Sequence, residues 1–73
     1  MVRYLSDLRG RVADFAQHCV ANYTFFELVN SSKDGIDYTA CEQWQISGEE
    51  WQDAIFAAMR ELRFQMHRER DNA

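Results

Sequence analysis

The chain of 73 residues contains no proline and only three glycines. Gly10, Gly35 and Gly48 lie far apart, so no glycine-rich loop that could hold a phosphate is present in the sequence. No apolar run has the length needed to span a membrane, and the sequence has no repeat, linker or low-complexity segment. We therefore expect a single compact domain over residues 1–73, with no membrane segment.

Cysteine is also scarce, with two residues in the chain. The first residues lack the apolar stretch of a signal peptide, so we expect a cytoplasmic location and two free, largely buried thiols. The residues of metal-ligand type are His18, Cys19, Cys41 and His67. Their spacing does not match a structural zinc site, and no nucleophile–base pair can be assembled from them. The sequence therefore predicts no metal, no cofactor and no enzyme activity, and Cys41 is the better candidate for a reactive thiol.

Acidic residues outnumber basic ones by twelve to eight, so the net charge is −4. Seven acidic residues and one lysine lie between Phe26 and Asp53, whereas both flanks are weakly basic. The acidic total makes nucleic-acid binding by the chain alone an unfavourable hypothesis, because such binding depends on neutralising phosphates. The acidic middle contacts a basic partner, mimics phosphates or keeps an apolar small protein soluble. Its candidate surface residues are Asp34, Asp37, Glu42, Glu49 and Asp53.

Aromatic residues are abundant by contrast, with two tryptophans, three tyrosines and five phenylalanines. A domain of this size buries only about 60% of the surface that its unfolded chain exposes. One copy of the chain is therefore not expected to bury all of these rings, and exposed apolar surface often marks a contact site. We expect a protein partner, with a homodimer as one option.

The pattern of apolar residues predicts an amphipathic helix over residues 2–22. One side of this helix is apolar, and Gly10 lies on the polar side, where it should weaken the helix without breaking it. The apolar stripe consists of Leu5, Leu8, Val12, Phe15, Ala16, Cys19 and Tyr23.

The middle of the chain favours a β-hairpin. Residues 23–29 are rich in aromatic and β-branched side chains and predict a strand, residues 30–35 predict a turn, and residues 36–46 alternate between apolar and polar. A competing interpretation starts from Thr39 and Glu42, which fit a helix capping box. In that alternative residues 39–45 are helical, and the fold is an all-α three-helix arrangement.

The last element is predicted as a helix over residues 48–70. Ser47 and Glu50 form a capping box, and Ile46 and Trp51 stand at the positions of a hydrophobic staple. The predicted fold class is therefore α+β, in the order helix–β-hairpin–helix (αββα). Two helices would pack on one face of a two-stranded antiparallel hairpin, because such a hairpin is not stable alone.

Arginines follow one side of this last helix. Arg60, Arg63, His67 and Arg70 are three, four and three residues apart, and Phe64 lies beside them. The set is either a solvated face with cations suited to a helix carboxyl end, or an interface, where arginine and aromatic residues concentrate. The residues predicted to bind a partner are Arg60, Arg63, Phe64, His67 and Arg70.

These observations favour a small acidic protein–protein interaction module that acts as an inhibitor, adaptor or regulatory factor without catalysis of its own. In size and composition the chain resembles small acidic proteins of phages and mobile elements, and no motif carries that likeness. The alternative is a nucleic-acid-associated regulatory factor that uses the arginines of the last helix.

Overall fold

The protein is described by a computed structural model that covers the backbone of residues 4–71 and the side chains of residues 4–68. This part of the chain forms a short 3-10 turn and four α-helices, without a β-strand. The prediction of an α+β fold with a β-hairpin is therefore wrong. The helices are α1 (Gly10–Asn22), α2 (Phe25–Lys33), α3 (Tyr38–Trp44) and α4 (Gly48–Asp71), and the 3-10 turn is Leu5–Asp7.

Helix α4 is the element on which the fold is built. It contacts the 3-10 turn, α1, α2 and α3. Ala54, Ala57 and Ala58 are fully buried on it, and their small side chains allow the neighbouring elements to approach closely. The buried core comprises Leu8, Phe15, Ala16, Cys19, Leu28, Cys41, Ile46, Trp51, Ala54, Ile55, Ala57 and Ala58.

Residues 23–29 do not form the predicted strand, because a capping box starts helix α2 within them. The Glu27 amide donates a hydrogen bond to the Thr24 hydroxyl at 3.2 Å, and the Thr24 amide donates one to the Glu27 carboxylate at 2.9 Å. Leu28 is buried, while Phe26 is 66% exposed. On a helical wheel Phe25 and Leu28 lie opposite Phe26, and this apparent break in the apolar stripe favoured a strand over residues 23–29. The helix continues to Lys33, through most of the predicted turn.

Residues 36–46 do not form a strand either. Asp37 caps α3, with its carboxylate accepting a hydrogen bond from the Ala40 amide at 3.1 Å. The apparent alternation fails because Tyr38 is 68% exposed and Cys41 is buried. Helix α3 ends at Gln45, whose φ of 55° lies in the left-handed region. The competing helix over 39–45 is close to what is observed, but its capping residue is Asp37 and not Thr39.

The amino-terminal helix is shorter than the predicted span 2–22, and it begins at Gly10. This glycine has a φ of +59°, which a residue with a side chain adopts only with strain. Arg9 is extended, and its guanidinium donates a hydrogen bond to the Ser6 carbonyl oxygen at 2.6 Å. The expectation that Gly10 leaves the helix unbroken is therefore wrong. The predicted carboxyl end of this helix, at residue 22, agrees with α1.

The capping box predicted at the start of α4 is present. The Glu50 amide donates to the Ser47 hydroxyl at 3.1 Å, and the Ser47 amide donates to the Glu50 carboxylate at 2.8 Å. With 24 residues, α4 is about 36 Å long. The molecule measures 40 Å in its longest dimension, so α4 runs along most of it. No helix in residues 4–71 combines the length and the hydropathy of a membrane span.

Candidate functional site

One side of α4 carries exposed or half-buried side chains from its first turn to its last described one. We call it the outer face of α4, and its members are spaced alternately by four and three residues: Glu49, Asp53, Phe56, Arg60, Arg63 and His67. In this set Asp53 and Arg60 are half-buried and the others are exposed. A strict alternation of four and three is the spacing of a helix that pairs with another helix.

The carboxyl half of this face forms one side of an open groove of about 380 Å³, which we call the α4 groove. Phe25, at the start of α2, provides the opposite wall. The residues that α4 contributes are Phe56, Met59, Arg60, Arg63, Phe64 and His67. The groove therefore combines aromatic rings with two guanidinium groups and an imidazole.

The 3-10 turn and Tyr4, the residue before it, lie against α4 beside Arg60 and Phe64. There the Arg60 guanidinium carbon sits 4.4 Å from the centre of the Tyr4 ring, within the range of a cation–π interaction. Tyr4 and Leu5 line a second depression of about 250 Å³ together with Arg60 and Phe64. Arg60 and Phe64 thus border both depressions, and Phe64 is 54% exposed.

The structure brings together four of the five residues that the sequence suggested for partner binding. Arg60, Arg63, Phe64 and His67 all line the α4 groove. The side chain of Arg70 lies outside the described residues. The sequence interpretation missed Phe25, Phe56 and Met59. Phe56 could have been found from its seven-residue spacing to Arg63, whereas Phe25 was hidden by the incorrect strand over residues 23–29.

The candidate acidic residues lie on three different helices rather than in one cluster. Asp34 follows the last residue of α2, Asp37 caps α3, and Glu42 is exposed on α3. Glu49 and Asp53 belong to the outer face of α4, and Asp53 has an interaction partner within the chain. Two of the five therefore share a helix face with the arginines.

The two cysteines are free and buried. Burial raises the pKa of the Cys19 thiol from an ordinary value of 9.0 to about 11. Burial, together with the nearby Asp37 carboxylate, also raises the pKa of Cys41, whose thiol donates to the Ser47 carbonyl oxygen at 3.7 Å. Cys41 was predicted as the better candidate for a reactive thiol, but it lies in the core. A thiol that resists ionisation is a poor nucleophile and a poor metal ligand.

His18, one of the residues of metal-ligand type, is half-buried. Its ring lies 5.1 Å from the Trp44 ring and 6.1 Å from the Tyr23 ring, and its Nδ1 is 3.1 Å from the Asn22 amide nitrogen. This histidine helps to hold α1 against α3. No group of three or more His, Cys, Asp or Glu residues suited to a metal ion occurs in the described part of the chain.

Comparison of the chain with protein-family models, with curated proteins and with solved structures gives no match.

Proposed function

We propose that this chain is a small protein–protein interaction module, an inhibitor, adaptor or regulatory factor without catalysis of its own. Its α4 groove receives an amphipathic helical segment of a protein target. The proposal rests on one observation: exposed aromatic rings and arginines line the same groove. Phe64 is 54% exposed and Phe56 36% exposed, and both border Arg63.

The composition of the groove is that of an interface centre. Aromatic residues and arginine are enriched at positions where truncation strongly weakens binding. Arg60 is held against the Tyr4 ring, so less side-chain freedom is lost when a partner contacts it. Its planar guanidinium can donate two parallel hydrogen bonds to one carboxylate.

The spacing of the outer face favours a helix as the occupant. A second helix packs most easily along residues that alternate by three and four, and amphipathic helices dock into apolar grooves by the same spacing. The helix that binds is expected to carry carboxylates, because the groove presents the basic side chains of Arg60, Arg63 and His67. The expected segment therefore carries aromatic or aliphatic anchors flanked by Asp or Glu.

The nucleic-acid hypothesis rests on the same cations, and two observations count against it. Glu49 and Asp53 lie on the outer face itself, where they would repel phosphates. The whole chain has a net charge of −4. Nucleic-acid affinity depends on several neutralised phosphates and falls steeply with salt, so a titration at two salt concentrations separates the two hypotheses.

The proposal is tested by selecting binders from a displayed library of helical peptides. Wild-type protein is the bait, and the double variant Arg63→Glu with Phe64→Asp removes peptides that bind elsewhere. The enriched peptides should carry apolar anchors at spacings of three and four, with acidic neighbours. Fluorescence anisotropy of one such peptide should show binding to the double variant weakened at least about 30-fold, because two central contacts are lost.

The matched control is Tyr38→Ser, which removes an aromatic ring that is 68% exposed and belongs to α3 rather than to the groove. This variant should bind the peptide within about twofold of wild type. Circular dichroism should be native for both variants. Failure to enrich any peptide, or equal affinity of the enriched peptide for wild type and the double variant, would contradict the proposal.

A further inference from the structure

The chemistry of the outer face of α4 changes along its length. Glu49 and Asp53 occupy the amino-terminal end, Phe56 lies in the middle, and Arg63 and His67 occupy the carboxyl end. The order along the helix is therefore acid, aromatic, cation. A face with this order is complementary to a copy of itself that runs in the opposite direction.

We propose that the first partner of the α4 groove is a second copy of this chain, whose α4 pairs antiparallel with it about a two-fold axis. The proposal rests on the proposed function, because it assigns a partner to the same surface. Antiparallel pairing sets Glu49 opposite His67, Asp53 opposite Arg63 and Phe56 opposite Arg60, each pair occurring twice by symmetry. Parallel pairing would instead bring like charges together.

The amino-terminal half of α4 has the chemistry that the groove requires. Residues 49–56 are helical and present an aromatic anchor, Phe56, after two carboxylates spaced by one helical turn. Phe56 can stack on a guanidinium in the same way as Tyr4 already stacks on Arg60. Asp53 already interacts within its own chain, so it acts here through its charge, and Glu49 is the exposed acidic group.

The size of the face limits the strength of this dimer. The segment from Glu49 to His67 is about 27 Å long, and a helix with its side chains is about 10 Å wide. Each copy would bury roughly 300 Å², well below the ~800 Å² per partner of a standard interface. We therefore expect a weak dimer in rapid exchange. A protein target with a better-fitting helix can then displace the second copy.

Charge reversal provides the test. One variant combines Glu49→Arg with Asp53→Arg, which makes the outer face cationic throughout. The other combines Arg63→Glu with His67→Glu, which makes both ends of the face anionic and leaves Arg60 as its one cation. Sedimentation equilibrium at low salt should show wild type associating, while each variant alone associates at least about tenfold more weakly because its copies repel one another. An equimolar mixture of the two variants should associate at least as strongly as wild type.

Wild-type association that is lost in each variant is the outcome that antiparallel pairing predicts, because parallel copies of the wild type would already repel one another. Recovery in the mixture shows that repulsion, and not loss of folding, caused the weaker association of each variant alone. The proposal is overturned if wild type remains monomeric at millimolar concentration, if either variant alone associates as strongly as wild type, or if the mixture does not recover. Association of the mixture should also weaken in 0.5 M salt, because the charges are exposed to solvent.

Loss of folding is controlled with a smaller exchange that leaves Asp53 and its interaction intact. Glu49→Arg alone and His67→Glu alone should each weaken association. In a mixed pair, the arginine at position 49 of one copy faces the glutamate at position 67 of the other, so the mixture should recover association. Circular dichroism reports the folded state of every variant. A monomeric wild type that still binds a selected peptide through Phe64 would refute the second copy as partner and leave the proposed function standing. Absence of both activities would refute both.

Discussion

At the scale of single residues, Gln45 has an unusual backbone conformation and Cys19 has an unusual pKa. Gln45 ends α3 with a φ of 55°, a conformation that glycine adopts freely and that costs other L-residues roughly 1 kcal/mol. Cys19 is 1% exposed, and its pKa is raised to about 11 because the buried thiolate would lose its hydration. Each state leads to a measurable effect on stability.

Gln45→Gly should raise the free energy of unfolding by about 1 kcal/mol, because glycine removes the left-handed strain at the end of α3. Gln43→Gly provides the matched control, since Gln43 lies inside the same helix. That variant should lower the free energy of unfolding by about 1 kcal/mol. Urea unfolding followed by the fluorescence of the buried Trp51 measures both, and equal losses in the two variants would contradict the assignment of Gln45.

Cys19 should make the protein less stable in alkali. In the unfolded chain this thiol ionises near pH 9, whereas in the folded protein it keeps its proton until about pH 11. Between these values the folded state binds more protons than the unfolded state, so the free energy of unfolding falls as the pH rises. The stabilisation is complete below pH 9, and the loss approaches 2 to 3 kcal/mol above pH 11.

The measurement is urea unfolding at several pH values between 9 and 11. Cys19→Ala should show a shallower decline with pH than wild type, because the alanine variant lacks this proton linkage. Other groups titrate in the same range, and the difference between the two slopes isolates the thiol. Parallel slopes in the two proteins would contradict the raised pKa.

At the scale of elements, the ends of helices determine the fold more clearly than the composition of their interiors. Thr24 and Glu27 start α2 by a capping box of the same kind as Ser47 and Glu50 at α4. Residues 23–29 are rich in side chains that favour strands, yet the cap and the packing of Leu28 against the core select a helix. Local propensity is weak compared with these two effects.

This explains how much could be predicted from the sequence. Helix α4 was predicted with its cap because the capping box and the residues of the hydrophobic staple, Ile46 and Trp51, agree there. The hairpin was wrong because two strongly exposed rings obscured the helical spacing. Phe26 interrupted the apolar stripe of a helix, and Tyr38 was counted on the apolar side of the second strand. A large apolar side chain that points to solvent disrupts the apolar spacing from which a helix or strand is predicted. The sequence alone does not show which apolar side chains are exposed.

Four groove residues on α4 (Arg60, Arg63, Phe64 and His67) were found from their spacing along this helix, whereas Phe56 and Met59 were missed. Phe25 was missed because helix α2 was predicted as a strand.

Thr24→Ala should lower the free energy of unfolding by about 1 kcal/mol, because it removes the hydroxyl that accepts from the Glu27 amide. Thr39→Ala is the matched control, since Thr39 is exposed and α3 is capped by Asp37. That change should stay within about 0.5 kcal/mol of wild type. Thermal or urea unfolding distinguishes them, and a larger effect at Thr39 would contradict the observed caps.

At the scale of the whole molecule, the core and the contact surface are two sides of one helix. Helix α4 contacts α1, α2, α3 and the 3-10 turn, while its outer face carries exposed or half-buried side chains from Glu49 to His67. Substitutions on the outer face should therefore change association without unfolding the chain. This separation lets a protein of 73 residues keep a complete core and still present an aromatic and charged surface.

The central claim is that the outer face of α4 is the surface that contacts a protein partner. Amide chemical shifts of the isotope-labelled chain, titrated with a peptide selected as described, test it most directly. The account predicts that the changes concentrate at Phe25 and between Phe56 and His67, with Tyr38–Trp44 unaffected. Changes centred on α3 or on the ring of His18, with the groove unchanged, would contradict it.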